Sequence, residues 1–134
     1  MRYLYSALFY LLLPLVVLRM LWRSRQAPAY RKRLAERFGV FDREPDQRPV
    51  IWVHAVSVGE TLAAAPLIED LLQISPDHAM VVTTTTPTGS ERVQARFGER
   101  VFHVSAPWDL PGAVRRFVTK IRPRLLLIME TELW

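Results

Sequence analysis

The chain has 134 residues, 18 Lys and Arg against 13 Asp and Glu, a formal net charge of +5 and no cysteine. That length allows one modest domain, and the lack of cysteine excludes disulfides, thiolate metal sites and cysteine nucleophiles. The basicity is local: residues 19–43 carry eight basic and two acidic residues, while residues 44–134 carry nine basic and eleven acidic ones, so no nucleic-acid partner is expected of the folded part.

Tyr3 to Leu18 is sixteen residues without a charge, and Met20-Leu21-Trp22 continue the run past Arg19. As a helix, Tyr3 to Trp22 reaches about 30 Å, the thickness of a hydrocarbon core. Tyr3, Tyr5 and Trp22 suit the two interfaces, Pro14 is tolerable in a membrane helix, and Arg19 can snorkel. A spanning anchor is the favoured reading. A cleaved signal peptide ending near Ala27-Pro28-Ala29 is second, with the basic flank on the wrong side for export. A monotopic helix is third. The arginines after the run place the rest of the chain in the cytoplasm by the positive-inside rule.

Ala29 to Phe38 is expected to form a short helix, with Tyr30, Leu34 and Phe38 on one stripe and Gly39 as its stop. It is either a solvated helix packed on the domain or a basic segment lying on anionic lipid. Asp42 to Pro49 is a polar, proline-marked loop.

Beyond it strands and helices alternate. Val50 to Val56 is a strand. Glu60 to Ile74 is a helix with Leu62, Ala65, Ile68 and Leu72 along one side, and Pro66 is expected to bend it. Ala79 to Thr85 is a second strand. Thr88-Gly89-Ser90-Glu91 has capping-box spacing and opens a helix to Phe97, stopped by Gly98. Arg100 to Val104 is a third strand. Asp109 can cap a helix from Leu110 to Ile121, whose Arg115, Arg116 and Lys120 are expected to be solvated. Arg124 to Met129, apolar without alternation, is a fourth strand of the kind covered on both faces.

This alternation implies an α/β fold: a Rossmann-like parallel sheet of order 3-2-1-4 with right-handed crossovers. The domains are then a transmembrane or signal-anchor helix over 1–24, a basic juxtamembrane helix and loop over 25–49, and the sheet domain over 50–134. In that order strands 1 and 4 are neighbours, and ligands bind in the crevice at their carboxyl ends.

Glu60 follows strand 1 and Glu130 ends strand 4, so the two carboxylates are expected to face each other there. Glu60 can equally be a first-turn carboxylate favoured by the helix dipole. Glu132, two residues on, can share the side of Glu130 in an extended segment and is read as structural or as a support behind the site. Gly59 allows close backbone approach to a ligand. Ser57 can donate to a ligand or satisfy the turn. Thr85 and Thr86 close a threonine run at the same edge, where hydroxyls can bind a sugar or phosphate. His54 is read as a hydrogen-bonded core residue, and the three histidines lack metal-ligand spacing, so no metal is expected.

The segments WVHAVSVGE, TTTTPTGSERV, PWDLPGAVRRF and RPRLLLIMETELW closely resemble the amino-terminal half of the 3-deoxy-D-manno-octulosonate (Kdo) transferases of lipopolysaccharide synthesis, and the likeness covers essentially the whole chain. The resemblance implies an inverting glycosyltransferase of two Rossmann-like domains, the GT-B architecture. It implies transfer of Kdo from CMP-Kdo to the lipid A precursor (lipid IVA) at the cytoplasmic face of the inner membrane, with no cofactor beyond the donor. It carries the catalytic base onto Glu60 and transition-state stabilisation onto Glu130. It also implies a donor-binding second domain beyond Trp134, so this chain alone is expected to be inactive. The competing expectation is a non-catalytic, membrane-tethered α/β module binding anionic lipid or a partner protein.

Overall fold

The structure, a computed structural model, describes residues 2–23 and 33–129. It forms two compact units, residues 42–106 with 118–134 and residues 1–41 with 107–117.

The first of these holds a four-stranded parallel sheet of order β3-β2-β1-β4. Its strands are β1 (Val50–Ala55), β2 (Ala79–Thr84), β3 (Phe102–Ser105) and β4 (Pro123–Met129). The order is the one expected from right-handed crossovers. Between the strands run α3 (Val58–Ile74) and α4 (Pro87–Phe97). On one face Ile51, Val53, Met80 and Val82 pack with Ala64, Ala65 and Ile68 of α3 and Val93 and Phe97 of α4. Burial of those apolar side chains is the main force holding this unit together.

Four expectations need correction here. α4 starts at Pro87 with Thr86 as its N-cap, the Thr86 hydroxyl accepting from Gly89 N at 3.1 Å. Thr88 is therefore inside the helix and not its cap: proline is preorganised for the first helical position and needs no hydrogen bond there. The third strand starts at Phe102, because Gly98–Arg100 close a 3₁₀ turn first. On α3 the buried set is Thr61, Ala64, Ala65 and Ile68, while Leu62 is 52% exposed. Ala65 and Ile68 are buried and Leu72 packs on the core as expected; Thr61 takes the place of Leu62, its hydroxyl donating to Ser57 O at 2.7 Å, which makes its burial cheap. Finally, β4 is not covered on both faces. Leu127 and Met129 pack on the core, but Leu126 and Ile128, in register with Trp52 and His54, are 40% and 48% exposed. α3 nevertheless runs unbroken through Pro66, which lies on its exposed side, where water can satisfy the freed carbonyl.

The second unit contains α1 (Arg2–Arg23), α2 (Leu34–Arg37) and the start of α5 (Pro111–Ile121). α2 is shorter than the helix expected from Ala29, and residues 29–32 lie outside the described residues. Gly39 sits at φ 73°, and its N–H bonds Glu36 O at 2.8 Å, the expected stop. Phe38 meets Trp108 edge-on, with ring centroids 5.0 Å apart. Arg116 is exposed as expected, and its Nε and Nη2 also donate to Phe38 O at 2.9 and 2.7 Å, filling a carbonyl left open at the end of α2. α5 begins with Pro111, and Val114 N bonds Leu110 O, so Leu110, not Asp109, holds the capping position.

The anchor reading also changes. α1 forms, but among the described residues no helix is long and apolar enough to cross a membrane. The charge-free run of sixteen residues measures about 24 Å as a helix, short of a hydrocarbon core of about 30 Å, and Arg19 lies inside the helix.

Candidate active site

The turn between β1 and α3 is two residues, Val56 and Ser57. Ser57 is extended (φ −120°, ψ 176°) and caps α3, and Glu60 is the third helical residue. Together they form a capping box. The Ser57 hydroxyl accepts from Glu60 N at 3.5 Å and donates to Glu60 Oε1 at 3.2 Å. Ser57 N donates to Glu60 Oε2 at 3.4 Å, and Val56 N donates to the same oxygen. An ionised carboxylate has about four acceptor positions. Among the described residues three are filled, and the open one is on Oε1. The helix dipole adds its positive end beneath the same group.

The end of β2 is tied to this turn. Thr85 N and Oγ1 both donate to Val56 O, at 3.2 and 2.8 Å. Ser57, Glu60 and Thr85 thus converge on one peptide at the carboxyl edge of the sheet. Gly59 lies in the first turn of α3. Thr86 is at the same edge, but its hydroxyl faces Gly89 of its own helix. All three hydroxyls expected to meet a ligand are therefore engaged by the chain itself. Of the fourth strand, Met129 pairs with Ala55, which brings β4 to the same edge as β1. Glu130 and Glu132 lie outside the described residues. His54 is hydrogen-bonded as expected but half-buried rather than a core residue: its Nδ1 lies 2.8 Å from Thr83 Oγ1, which also accepts from Trp52 Nε1 at 2.9 Å.

Two participants escaped the sequence reading. The Val56 amide holds Glu60, and buried Thr61 bonds the Ser57 carbonyl through both N and Oγ1. The signal for the first was present: Ser57-x-x-Glu60 has the spacing of a capping box. A side chain four residues past a cap carries no comparable mark. Among the described residues no group of His, Asp and Glu is placed to hold a metal ion. A cavity of about 550 Å³ lies at the opposite edge of the sheet, lined by Glu44, Asp46, Arg48, Lys120, Arg122 and Arg124 among others. It is away from the carboxyl edge where open α/β sheets bind ligands.

A parallel sheet of order 3-2-1-4 with a held carboxylate at the carboxyl edge of β1 defines a Rossmann-like α/β domain. Residues 32–134 match the family described as 3-deoxy-D-manno-octulosonic-acid transferase (kdotransferase), and the chain belongs to that glycosyltransferase family. It is 45% identical over 99% of its length to the 3-deoxy-D-manno-octulosonic acid transferase of Haemophilus influenzae, covering 31% of that protein. It is 37% identical over 98% of its length to the probable mitochondrial 3-deoxy-D-manno-octulosonic acid transferase of Arabidopsis thaliana, covering 29%. The Bordetella pertussis transferase is 39% identical over 92% of the chain, which covers 30% of it. The chain thus spans about three tenths of the length of these curated relatives.

Proposed function

We propose that this chain is the acceptor-side, base-carrying part of an inverting glycosyltransferase of GT-B architecture. The reaction moves Kdo from CMP-Kdo to a lipid A precursor such as lipid IVA in lipopolysaccharide synthesis, with no further cofactor. The observation that carries the reading is Glu60: a carboxylate at the carboxyl edge of β1, held by three donors, with one acceptor position open on Oε1. A sugar hydroxyl is a poor nucleophile until a positioned base takes its proton. In the proposed step an acceptor O–H gives its proton to Glu60. The oxygen forms a bond to the anomeric carbon of Kdo on the face opposite CMP. The bond from that carbon to the CMP phosphate oxygen breaks, and CMP leaves with the electron pair. Charge develops at the anomeric centre, and Glu130 is the proposed carboxylate that stabilises it. Donor contacts come from a partner domain, so the 134-residue chain alone does not turn over.

α1 supplies the place where this occurs. Leu8, Leu11, Leu15, Leu18 and Trp22 repeat at three- and four-residue spacing and are between 54% and 74% exposed, a stripe suited to lying in a lipid interface. The protein then works at the cytoplasmic face of the inner membrane, where its lipid-linked acceptor is.

The capping box favours one other reading, in which Glu60 is purely structural and the domain is a membrane-tethered binding module. Glu60→Gln separates the two, because glutamine also serves in a capping box but is no base. In the transferase containing this chain, assayed with CMP-Kdo and lipid IVA, the variant is expected to lose about 10²- to 10⁴-fold in rate. A variant within about ten-fold of the parent removes Glu60 as base, since that lies below the usual range for such a group.

A further inference from the structure

The chain has five glycines, and most have an internal reason to be glycine. Gly39 and Gly98 have positive φ, and a Cβ on Gly39 would stand 2.5 Å from Ala113 O. A Cβ on Gly89 would meet the capping hydroxyl of Thr86 at 2.9 Å. In α5, a Cβ on Gly112 would meet, among the described residues, only the end of the Arg116 side chain at an ordinary 3.4 Å and the Tyr10 hydroxyl at 3.9 Å. Gly59 differs from the first three. Its φ is not in the left-handed region, and among the described residues a Cβ there would meet only Ser57 Oγ, at an ordinary 3.9 Å. Glycine in a helix is less stable than alanine, so the chain carries an unfavourable residue that the packing of the described residues does not require.

The bare position adjoins the working carboxylate. The hydroxyl 3.9 Å from that absent Cβ is the one that donates to Glu60 Oε1 at 3.2 Å, and Oε1 has the open acceptor position. A methyl group at residue 59 would raise the surface of the first turn by about one C–C bond, roughly 1.5 Å, and near-attack geometry does not tolerate a displacement of that size.

We propose that the acceptor's sugar ring lies on the bare first turn of α3, against the Cα of Gly59, so that its nucleophilic hydroxyl reaches Oε1 of Glu60. Gly59 is then a positioning residue that selects the acceptor pose by having no side chain. This rests on Glu60 being the base.

The test is Gly59→Ala, measured twice. In the 134-residue chain the substitution is expected to raise the melting temperature by about 2–4 °C, the shift a gain in helix preference gives at this size. In the transferase containing the chain it is expected to lower kcat/KM for the lipid acceptor by about 10- to 200-fold, the range for one methyl group in a tight site, with KM for CMP-Kdo unchanged. A lower melting temperature overturns the inference, because the site is then internally packed. Acceptor kcat/KM within about two-fold of the parent also overturns it, since one methyl group in contact costs more than that. Glu60→Gln is run beside it. If that variant stays active the base assignment fails, and the inference built on it fails with it. If it is inactive while Gly59→Ala transfers normally, only the present inference is lost.

Discussion

The three donors on Glu60 make its stability role measurable apart from catalysis. In Glu60→Ala the Val56 and Ser57 amides lose their acceptor, and the Ser57 hydroxyl loses its own. Hydrogen bonds to a charged group contribute about 1.5–3 kcal/mol, neutral ones about 1, and a first-turn carboxylate adds about 0.3–1 through the helix dipole. Allowing water to reach part of this half-buried turn, the alanine variant is expected to lose about 2–3 kcal/mol. Glu60→Gln keeps an amide oxygen for the two N–H groups and lets its NH₂ donate to Ser57. It loses only charge assistance and the dipole term, about 0.5–1 kcal/mol. At about 3–4 °C per kcal/mol for a chain of this size, thermal melts should place alanine well below glutamine. Amide exchange gives the local readout: Val56 and Ser57 stay protected in the glutamine variant and exchange faster in the alanine variant. Equal melting temperatures for the two would refute the reasoning, because the carboxylate would then not be holding those amides.

Three further outcomes follow from other parts of the molecule. Gly39→Ala should destabilise by about 2 kcal/mol or more, as strain at positive φ adds to a clash with a backbone carbonyl; a melting temperature equal to the parent's would contradict the packing of Gly39 on Ala113. The Arg100 guanidinium, bonded to Glu69 at 2.8 and 3.0 Å, holds the Glu69 carboxyl below its ordinary value of 4.5. Unfolding therefore takes up a proton there in acid, so the contribution of Glu69 is present above that value and is lost as pH falls through the lowered one. Glu69→Gln should flatten the acid limb of a stability–pH curve, and an unchanged limb would mean that the pair is not formed in solution. Replacing Leu11 and Leu15 of α1 together by Glu should release the protein from anionic phosphatidylglycerol vesicles in a flotation assay, because both are exposed by more than 60% and each loses apolar area to the lipid; retention of the double variant would move the lipid contact elsewhere.

Much of the fold was legible because period and punctuation agree. Strand β2 is β-branched, Gly98 ends α4, and the strand–helix alternation leaves few topologies open, so the order 3-2-1-4 could be stated from the sequence. The errors arose where one pattern admits two structures. Ser/Thr-x-x-Glu spacing occurs at Ser57–Glu60 and at Thr88–Glu91, but only the first is a capping box. Pro87 breaks the tie, since proline favours the first helical position and makes Thr86 the cap. Hydropathy likewise chose Leu62 over Thr61 for the core, because it does not register that a hydroxyl can be satisfied by the preceding turn. The apolar run in β4 reads as a strand buried on both faces, yet a strand's neighbours in space are not written in its own composition.

The same ambiguity lies at the site. A capping carboxylate and a catalytic base both require an acidic residue, fixed in direction, at the start of a helix after a strand. One residue can serve both roles if the donors that hold it leave an acceptor position toward the ligand. Among the described residues those at Glu60 do: Oε2 is taken up by two backbone amides, while Oε1 takes one hydroxyl hydrogen bond and keeps a position open. The structural role then supports the chemical one, since a group oriented by the turn need not be reoriented during the reaction. Ser57 and Thr85 also hold the turn itself: the Ser57 hydroxyl donates to Glu60 Oε1 and the Thr85 hydroxyl to Val56 O. On the proposed reading, what distinguishes a site from a cap is the unfilled acceptor and the bare surface beside it at Gly59, both features of space and not of residue type.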